Sequence, residues 1–277
     1  MEILLLVLVS FGASWLTFFC GFGLGTMLTP FFFLLFKDLP LAIAATTIVH
    51  FLNNVFKFIL MKRSIDWKMA LPFGLAAIPA AILGALLVDK IENFTLLSYH
   101  LGEAIREISM LNLIFGLILI GFALIELIPR WGLAFSKKSL WFGGAISGFF
   151  GGLSGHQGAL RTAFLIRYNL SKEVFIATGI LVALVIDISR ATVYAFNLDY
   201  TLISEQWVWI LVSLLAALAG AITGKYFLKK IKLVTLNRIV AIAMLIFGLT
   251  LSLGLLTKHE QAGNQTNLQA ETSAINE

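Results

Sequence analysis

Charge is scarce in this sequence. Acidic and basic side chains together make up 13% of its 277 residues, against about 25% in an ordinary soluble domain. Hydrophobic residues make up 59%, and a soluble core this apolar would leave too little polar surface to meet water. A soluble enzyme, a nucleic-acid binder and a disordered chain are therefore poor fits. Cysteine is nearly absent as well: the single one, Cys20, cannot form an internal disulfide and offers no metal pattern. There is no HExxH, G-x-S-x-G, CxxC or ATP-binding motif, so enzymatic chemistry and direct ATP drive are not expected. Only His50 and His156 fall within the apolar regions, too few for a metal site, and no cofactor is expected. A positively charged leader is lacking too, because the chain begins Met1-Glu2 before an apolar run that should stay in the membrane.

Long apolar runs are what the chain does have. They fall at about 3–24, 26–36, 40–61, 70–88, 109–129, 140–153, 158–168, 173–197, 207–228 and 236–257. Roughly 20 apolar residues make one spanning helix, so 40–61 and 207–228 can cross a bilayer, while 26–36 and 158–168 suit half-helices. Each short run follows a glycine cluster: Gly21, Gly23 and Gly25 before the first, and Gly148, Gly151, Gly152, Gly155 and Gly158 before and at the second. The tail 258–277 is polar and aperiodic and reads as disordered.

The halves resemble each other. LAAIPAAILG (75–84) matches LAALAGAITG (215–224) at six of ten positions, and Ala45-Thr46 matches Ala177-Thr178. The fold expected is an all-α polytopic membrane protein with two inverted-topology repeats. Each repeat is a Gly-hinged helical hairpin with a short half-helix, plus three spanning helices. The first repeat covers 1–129 and the second 130–257. Lys and Arg number 3, 2, 3, 0 and 5 in the loops 62–69, 89–107, 130–139, 198–206 and 225–238. By the positive-inside rule the first, third and fifth are cytoplasmic, and both termini lie on the outer face.

Inverted-repeat transporters commonly bind substrate near the midplane, where discontinuous helices meet. A half-helix beginning there presents free backbone N–H groups and a positive dipole end, a ready anion site. Glycine clusters also serve close helix packing; their matched placement before both short runs favours the site reading. The candidate binding residues are Gly23, Gly25 and Thr26 at the first hairpin, and Ser154, His156, Gln157, Gly158 and Arg161 at the second. Arg161 either contacts the substrate or sits in an aqueous vestibule or against a carbonyl, and His156 either carries protons or packs.

Thr46, His50, Asn53 and Lys57 share one face of the helix 40–61, with Thr47 and Asn54 bordering it. Asp187, Arg190 and Tyr194 share a face of 173–197. Thr46, Asn54, Thr178 and Arg190 complete the substrate-binding candidates. His50, His156 and Asp187 are the proton-coupling candidates, Asp187 being alternatively a fixed partner of Arg190. Lys57 and Arg190 correspond at an offset of 133, but Thr46 and Thr178 at 132. That difference suggests a bulge or an unwound turn between Thr178 and Arg190.

Together, GFGLGTMLTPFF (21–32), AIAATT (42–47), Ile65-Asp66, GGLSGHQGALRTAFL (151–165) and Ala177-Thr178-Gly179 resemble the TauE/SafE family of sulfite-exporter-like membrane proteins. The resemblance spans about 10–257. It implies movement of sulfite, sulfonates or related sulfur anions across the bacterial inner membrane. Family second motifs are richer in glycine; His156-Gln157, Ala159 and Arg161 depart from them and leave the particular anion open. The reading is an alternating-access secondary transporter for a small sulfur-containing anion, with proton coupling or uniport both open. Its partners are the anionic substrate and the lipid bilayer, with no nucleic acid; a homo-oligomer is left open. The alternatives are another small anion or zwitterion as cargo, a membrane-embedded enzyme, or an accessory subunit.

Overall fold

In a bilayer the backbone has no water to bond, so an apolar segment must satisfy its own N–H and C=O groups by forming a helix. The computed structural model describes residues 1–20, 24–91, 94–102, 104–128, 140–155, 157–165, 168–197, 200–227 and 233–256. Its helices are α1 (Glu2–Cys20), α2 (Leu24–Phe36), α3 (Leu39–Met61), α4 (Trp67–Ile91), α5 (Met110–Leu127), α6 (Leu140–Ser154), α7 (Gly158–Leu165), α8 (Lys172–Asn197), α9 (Tyr200–Glu205), α10 (Trp207–Phe227) and α11 (Leu233–Ser252). Four of them, α3, α4, α8 and α10, are long and apolar enough to cross a membrane, and α1, α2, α5 and α11 add shorter apolar stretches. The chain is an all-α polytopic membrane protein. Gly21, Gly23, His156 and the expected disordered tail 258–277 lie outside the described residues.

The packing places small residues inside and large ones outside. On α4, Phe73, Ala77, Ala81 and Ala85 are buried while Leu71, Leu75 and Leu83 are exposed. Where lipid is as apolar as leucine, helices gain most by bringing backbones together over small side chains. Gly144, Gly148 and Gly152 of α6 do this against the carbonyls of Phe73, Ala77 and Ala81, and a Cβ on any of them would collide. Gly148 and Gly152, which the sequence grouped with the anion loop, therefore serve the α4–α6 contact. Gly220 and Gly224 of α10 pack in the same way on Phe11 and Trp15 of α1, and Gly116 and Gly248 join α5 to α11.

These contacts also fix direction. α1 runs parallel to α10, with Ser10 bonded to Ser213 at 2.8 Å and Gly224 packed on Trp15. α6 runs parallel to α4. α3 and α8 cross antiparallel: Asp66, just past α3, donates its backbone N–H to Thr178 Oγ1 near the start of α8 (3.0 Å), while Asn54 meets Asp187 midway (2.9 Å). Exchanging α1 with α6, α2 with α7, α3 with α8, α4 with α10 and α5 with α11 carries the main helix pairs onto one another. One end of the bundle therefore holds the α3–α4 link and the starts of α6 and α8. The other holds the chain start, the beginning of α5 and the end of α11.

Two expectations change. The segment read as a polar loop after α4 forms two antiparallel strands, β1 (Thr95–Leu101) and β2 (Ala104–Ser109), turning at Gly102 with φ +65°. Tyr99 and Arg106 donate to the Leu253 and Leu255 carbonyls and so fasten this hairpin to the end of α11. The suggested bulge in the second long polar helix is absent, because α8 is continuous α-helix from Lys172 to Asn197. The offset of 133 that relates Lys57 to Arg190 also relates Asn54 to Asp187, and these two touch.

Candidate functional site

The α3–α8 crossing is polar although it lies deep within an apolar bundle. His50, Asn54, Asp187 and Arg190 are all buried there. Asp187 Oδ2 lies 2.6 Å from His50 Nδ1 and accepts from Asn54 Nδ2 at 2.9 Å, while Asp187 Oδ1 pairs with Arg190 Nη2 at 3.0 Å. One carboxylate thus joins both halves of the chain. An Nδ1–H held by Asp187 fixes the His50 tautomer and leaves Nε2 on the opposite edge of the ring.

That opposite edge faces the hairpins. The Cβ position of Gly25, in the first turn of α2, lies 3.4 Å from the Gly155 carbonyl oxygen, 3.9 Å from Thr46 Cγ2 and 4.0 Å from His50 Cδ2. Gly155 stands three residues before α7 with φ +75°, and any Cβ there would press on Arg190 Nη1. Glycine is needed at this point both for its backbone conformation and for the close approach of the guanidinium. The first turn of α2 and the entry to α7 therefore converge beside His50 and Arg190.

Arg161 extends from α7 over Gly179 of α8, whose Cβ position is 3.2 Å from Arg161 Nε. A cavity of about 20 Å³ separates it from the α3 cluster, bounded by Thr17, His50, Asn54, Arg161, Thr162 and Gly179. That volume holds about one water. Gln157 is buried, with Nε2 directed to the Ala183 carbonyl at 3.4 Å and Oε1 lacking a hydrogen-bond partner among the described residues. Thr46 Oγ1 is likewise buried without a hydrogen-bond partner.

Of the residues singled out from the sequence, His50, Asn54, Asp187 and Arg190 come into direct contact. Gly25, Thr46 and Arg161 border this group, and Gln157 and Gly158 lie at the entry to α7. Thr26 is buried in the first turn of α2, and Ser154 donates to the Phe150 carbonyl of its own helix (2.9 Å). Thr178 is placed elsewhere, since its hydroxyl receives the Asp66 N–H and pins the α3–α4 link to α8. Gly23 and His156 fall outside the described residues. Sequence reasoning did not pair His50 with Asp187, and it missed Thr17 and Gly179 as cavity walls. The offset of 133 was the available signal for the crossing, because it makes Asn54 and Asp187 counterparts. Among the described residues no group of His, Cys, Asp and Glu is arranged to hold a metal ion.

A bundle of membrane helices packed through glycine, with broken helical hairpins converging on a buried charged cluster, is the architecture of a membrane transport protein. The family comparison specifies the class. Residues 6–251 match the family described as Sulfite exporter TauE/SafE, and the chain belongs to that family of anion exporter-type membrane transporters. No curated protein and no solved structure matches significantly.

Proposed function

We propose that this protein carries a small sulfur-containing anion, of the sulfite, thiosulfate or organosulfonate class, across the bacterial inner membrane by alternating access. The observation that carries the reading is the charge count at the site. Arg161 and Arg190 are buried in this region, with Asp187 the only buried carboxylate among the described residues. Buried charge is favoured where opposite charge lies close, and an anion between Arg161, His50 and Arg190 would stand beside two buried guanidinium groups that outnumber the one buried carboxylate. The α2 and α7 N-terminal turns add backbone donors and the favourable dipole end. Thr46, whose methyl group borders Gly25, carries a further buried hydroxyl.

A cavity that holds about one water is too small for a sulfur oxyanion, so the conformation described is closed. Opening requires relative movement of the elements that line it, which come from both halves. We take 1–129 and 130–257 as two inverted repeats rocking against each other. The antiparallel crossing of α3 and α8 and the exchange relation among helix pairs support this. Loop charge places the α3–α4 end in the cytoplasm and both termini outside. His50 and Asp187 are the proton-coupling pair, because a proton gained or lost there changes the charge beside the anion.

Binding tests the reading. Purified protein titrated with sulfite, thiosulfate, sulfoacetate and taurine is expected to bind one or more of the anions with saturation. Failure to bind any of them, in protein that is folded and monodisperse, would reject the proposal.

A further inference from the structure

Lys57 is a buried amine that does not line the cavity of the anion site. It lies in the last two turns of α3 and is fully enclosed. Its Nζ donates to the Ser14 carbonyl oxygen of α1 at 3.2 Å and stands 5.0 Å from the centre of the Phe18 ring. One turn earlier, Asn53 Oδ1 accepts from Ser14 Oγ at 3.1 Å, while Asn53 Nδ2 is buried with no acceptor among the described residues. The neighbourhood thus offers one carbonyl and a surplus donor. An ammonium has three N–H donors and no acceptor. A neutral amine has two N–H groups and a lone pair, which suits these surroundings better. The Phe18 face attracts a cation, but one ring contact is small beside the desolvation of an ammonium without a carboxylate.

Neighbouring elements supply no counter-charge among the described residues. On α1 the ionisable side chains are Glu2, in its first turn, and Cys20, its last residue; on α10 they are Lys225 and Tyr226, in its last turn. Asp187 and Arg190 of α8 pair with each other, and Asp187 also holds His50 of α3. Lys172 and Glu173 begin α8, and Lys62 and Arg63 follow α3 at the bundle's end. Lys37 follows α2 and Glu205 ends α9, both at the opposite end from Lys57. The repeat register points the same way. The second half carries Asp187 with Arg190, which sum to zero. The corresponding first-half residues, Asn54 and Lys57, sum to zero only when the lysine is neutral.

We infer that Lys57 is a proton-binding site linked to the anion site, neutral in the closed state and protonated when an anion is bound. The amine lone pair takes H⁺ from water on the side to which the protein opens. The same N–H bond breaks when the protein opens to the other side, and the proton returns to water there. The anion balances the added charge. α1 is the link: Ser14 and Phe18 hold Lys57, while Thr17, between them in sequence, lines the cavity shared by His50 and Arg161. Displacement of α1 by an anion at Thr17 is therefore felt at Lys57. The inference rests on the anion reading above.

The test uses the full chain in detergent and thiosulfate, whose charge does not change between about pH 6 and 8. Proton uptake on binding is followed with a pH indicator, and affinity is measured across that range. One proton taken up per anion makes affinity fall about tenfold per unit rise in pH. Lys57→Met and Lys57→Arg should each take up about one proton fewer than wild type and lose that part of the pH dependence. Lys57→Arg should stay near the tight, low-pH affinity. Uptake and pH dependence unchanged in both variants would overturn the inference while leaving the anion reading intact. No thiosulfate binding by wild type would remove the anion reading, and this inference with it. If neither variant folds, the ¹⁵N signal of Lys57 Nζ in lysine-labelled wild type decides. Amine without thiosulfate and ammonium with it supports the assignment; ammonium in both contradicts it.

Discussion

Asp187 is the residue on which the crossing depends. It holds His50, Asn54 and Arg190 together with one carboxylate. Removing one partner of a buried ion pair leaves an uncompensated charge and costs about 3–5 kcal/mol, whereas replacing both with apolar groups of similar volume is far milder. Asp187→Asn should therefore lower thermal stability sharply in detergent, and adding Arg190→Met should restore much of it. Equal stability of the single and double variants would show that the pair does not hold the fold. Arg161 belongs to the same scale but to a different role. A charge-assisted hydrogen bond contributes about 1.5–3 kcal/mol, so Arg161→Ala should weaken anion binding by roughly 10- to 150-fold. Unchanged affinity would reject its direct contact. The polar stripe of α3 was legible from spacing alone, because each such group is expensive in lipid. The pairing of His50 with Asp187 was not, because it joins residues 137 positions apart and spacing within one helix says nothing of a partner helix.

At the scale of elements, glycine has two roles that the sequence could not separate. Gly148 and Gly152 let α6 lie against the carbonyls of α4, whereas Gly25 faces Thr46, His50 and Gly155. Overpacking a tight contact typically costs about 1–3 kcal/mol. Gly152→Ala should thus reduce folded yield, with remaining protein still binding anion. Gly25→Ala, whose Cβ would stand at an ordinary 3.4 Å from its nearest neighbour, should fold and yet bind anion more weakly. The same loss of folding in both would make Gly25 a packing residue. Helix boundaries were largely readable, since apolar runs end where charge begins. The β1–β2 hairpin was not, because β1 is mostly exposed and β2 only half-buried, so their apolar residues mark no fully buried face. The α8 bulge was misread from one chance match, Ala45-Thr46 with Ala177-Thr178. Asn54 and Asp187, which touch, share the offset of 133 with Lys57 and Arg190.

At the scale of the molecule, the arrangement of ends is open to a labelling test. In a Cys20→Ala background, cysteines at Ser64 and Lys225 should react from one side of the membrane, and cysteines at Ser98 and Thr201 from the other. Ser64 and Lys225 labelled from opposite sides would contradict the arrangement. Loop charge predicts this sidedness, and the parallel and antiparallel helix contacts put the α3–α4 link and the end of α10 at one end of the bundle. The size of the cavity was beyond reach of the sequence, because it depends on how side chains from α1, α3, α7 and α8 meet.

The central claim is that the buried cations at this crossing move an anion. Flux in proteoliposomes measures it directly. Protein reconstituted in vesicles should carry sulfite or thiosulfate in a saturable way, with a rate that changes when a pH gradient is imposed and falls strongly in Arg161→Ala. Folded, correctly inserted protein that carries neither anion above the rate of empty vesicles would contradict the account.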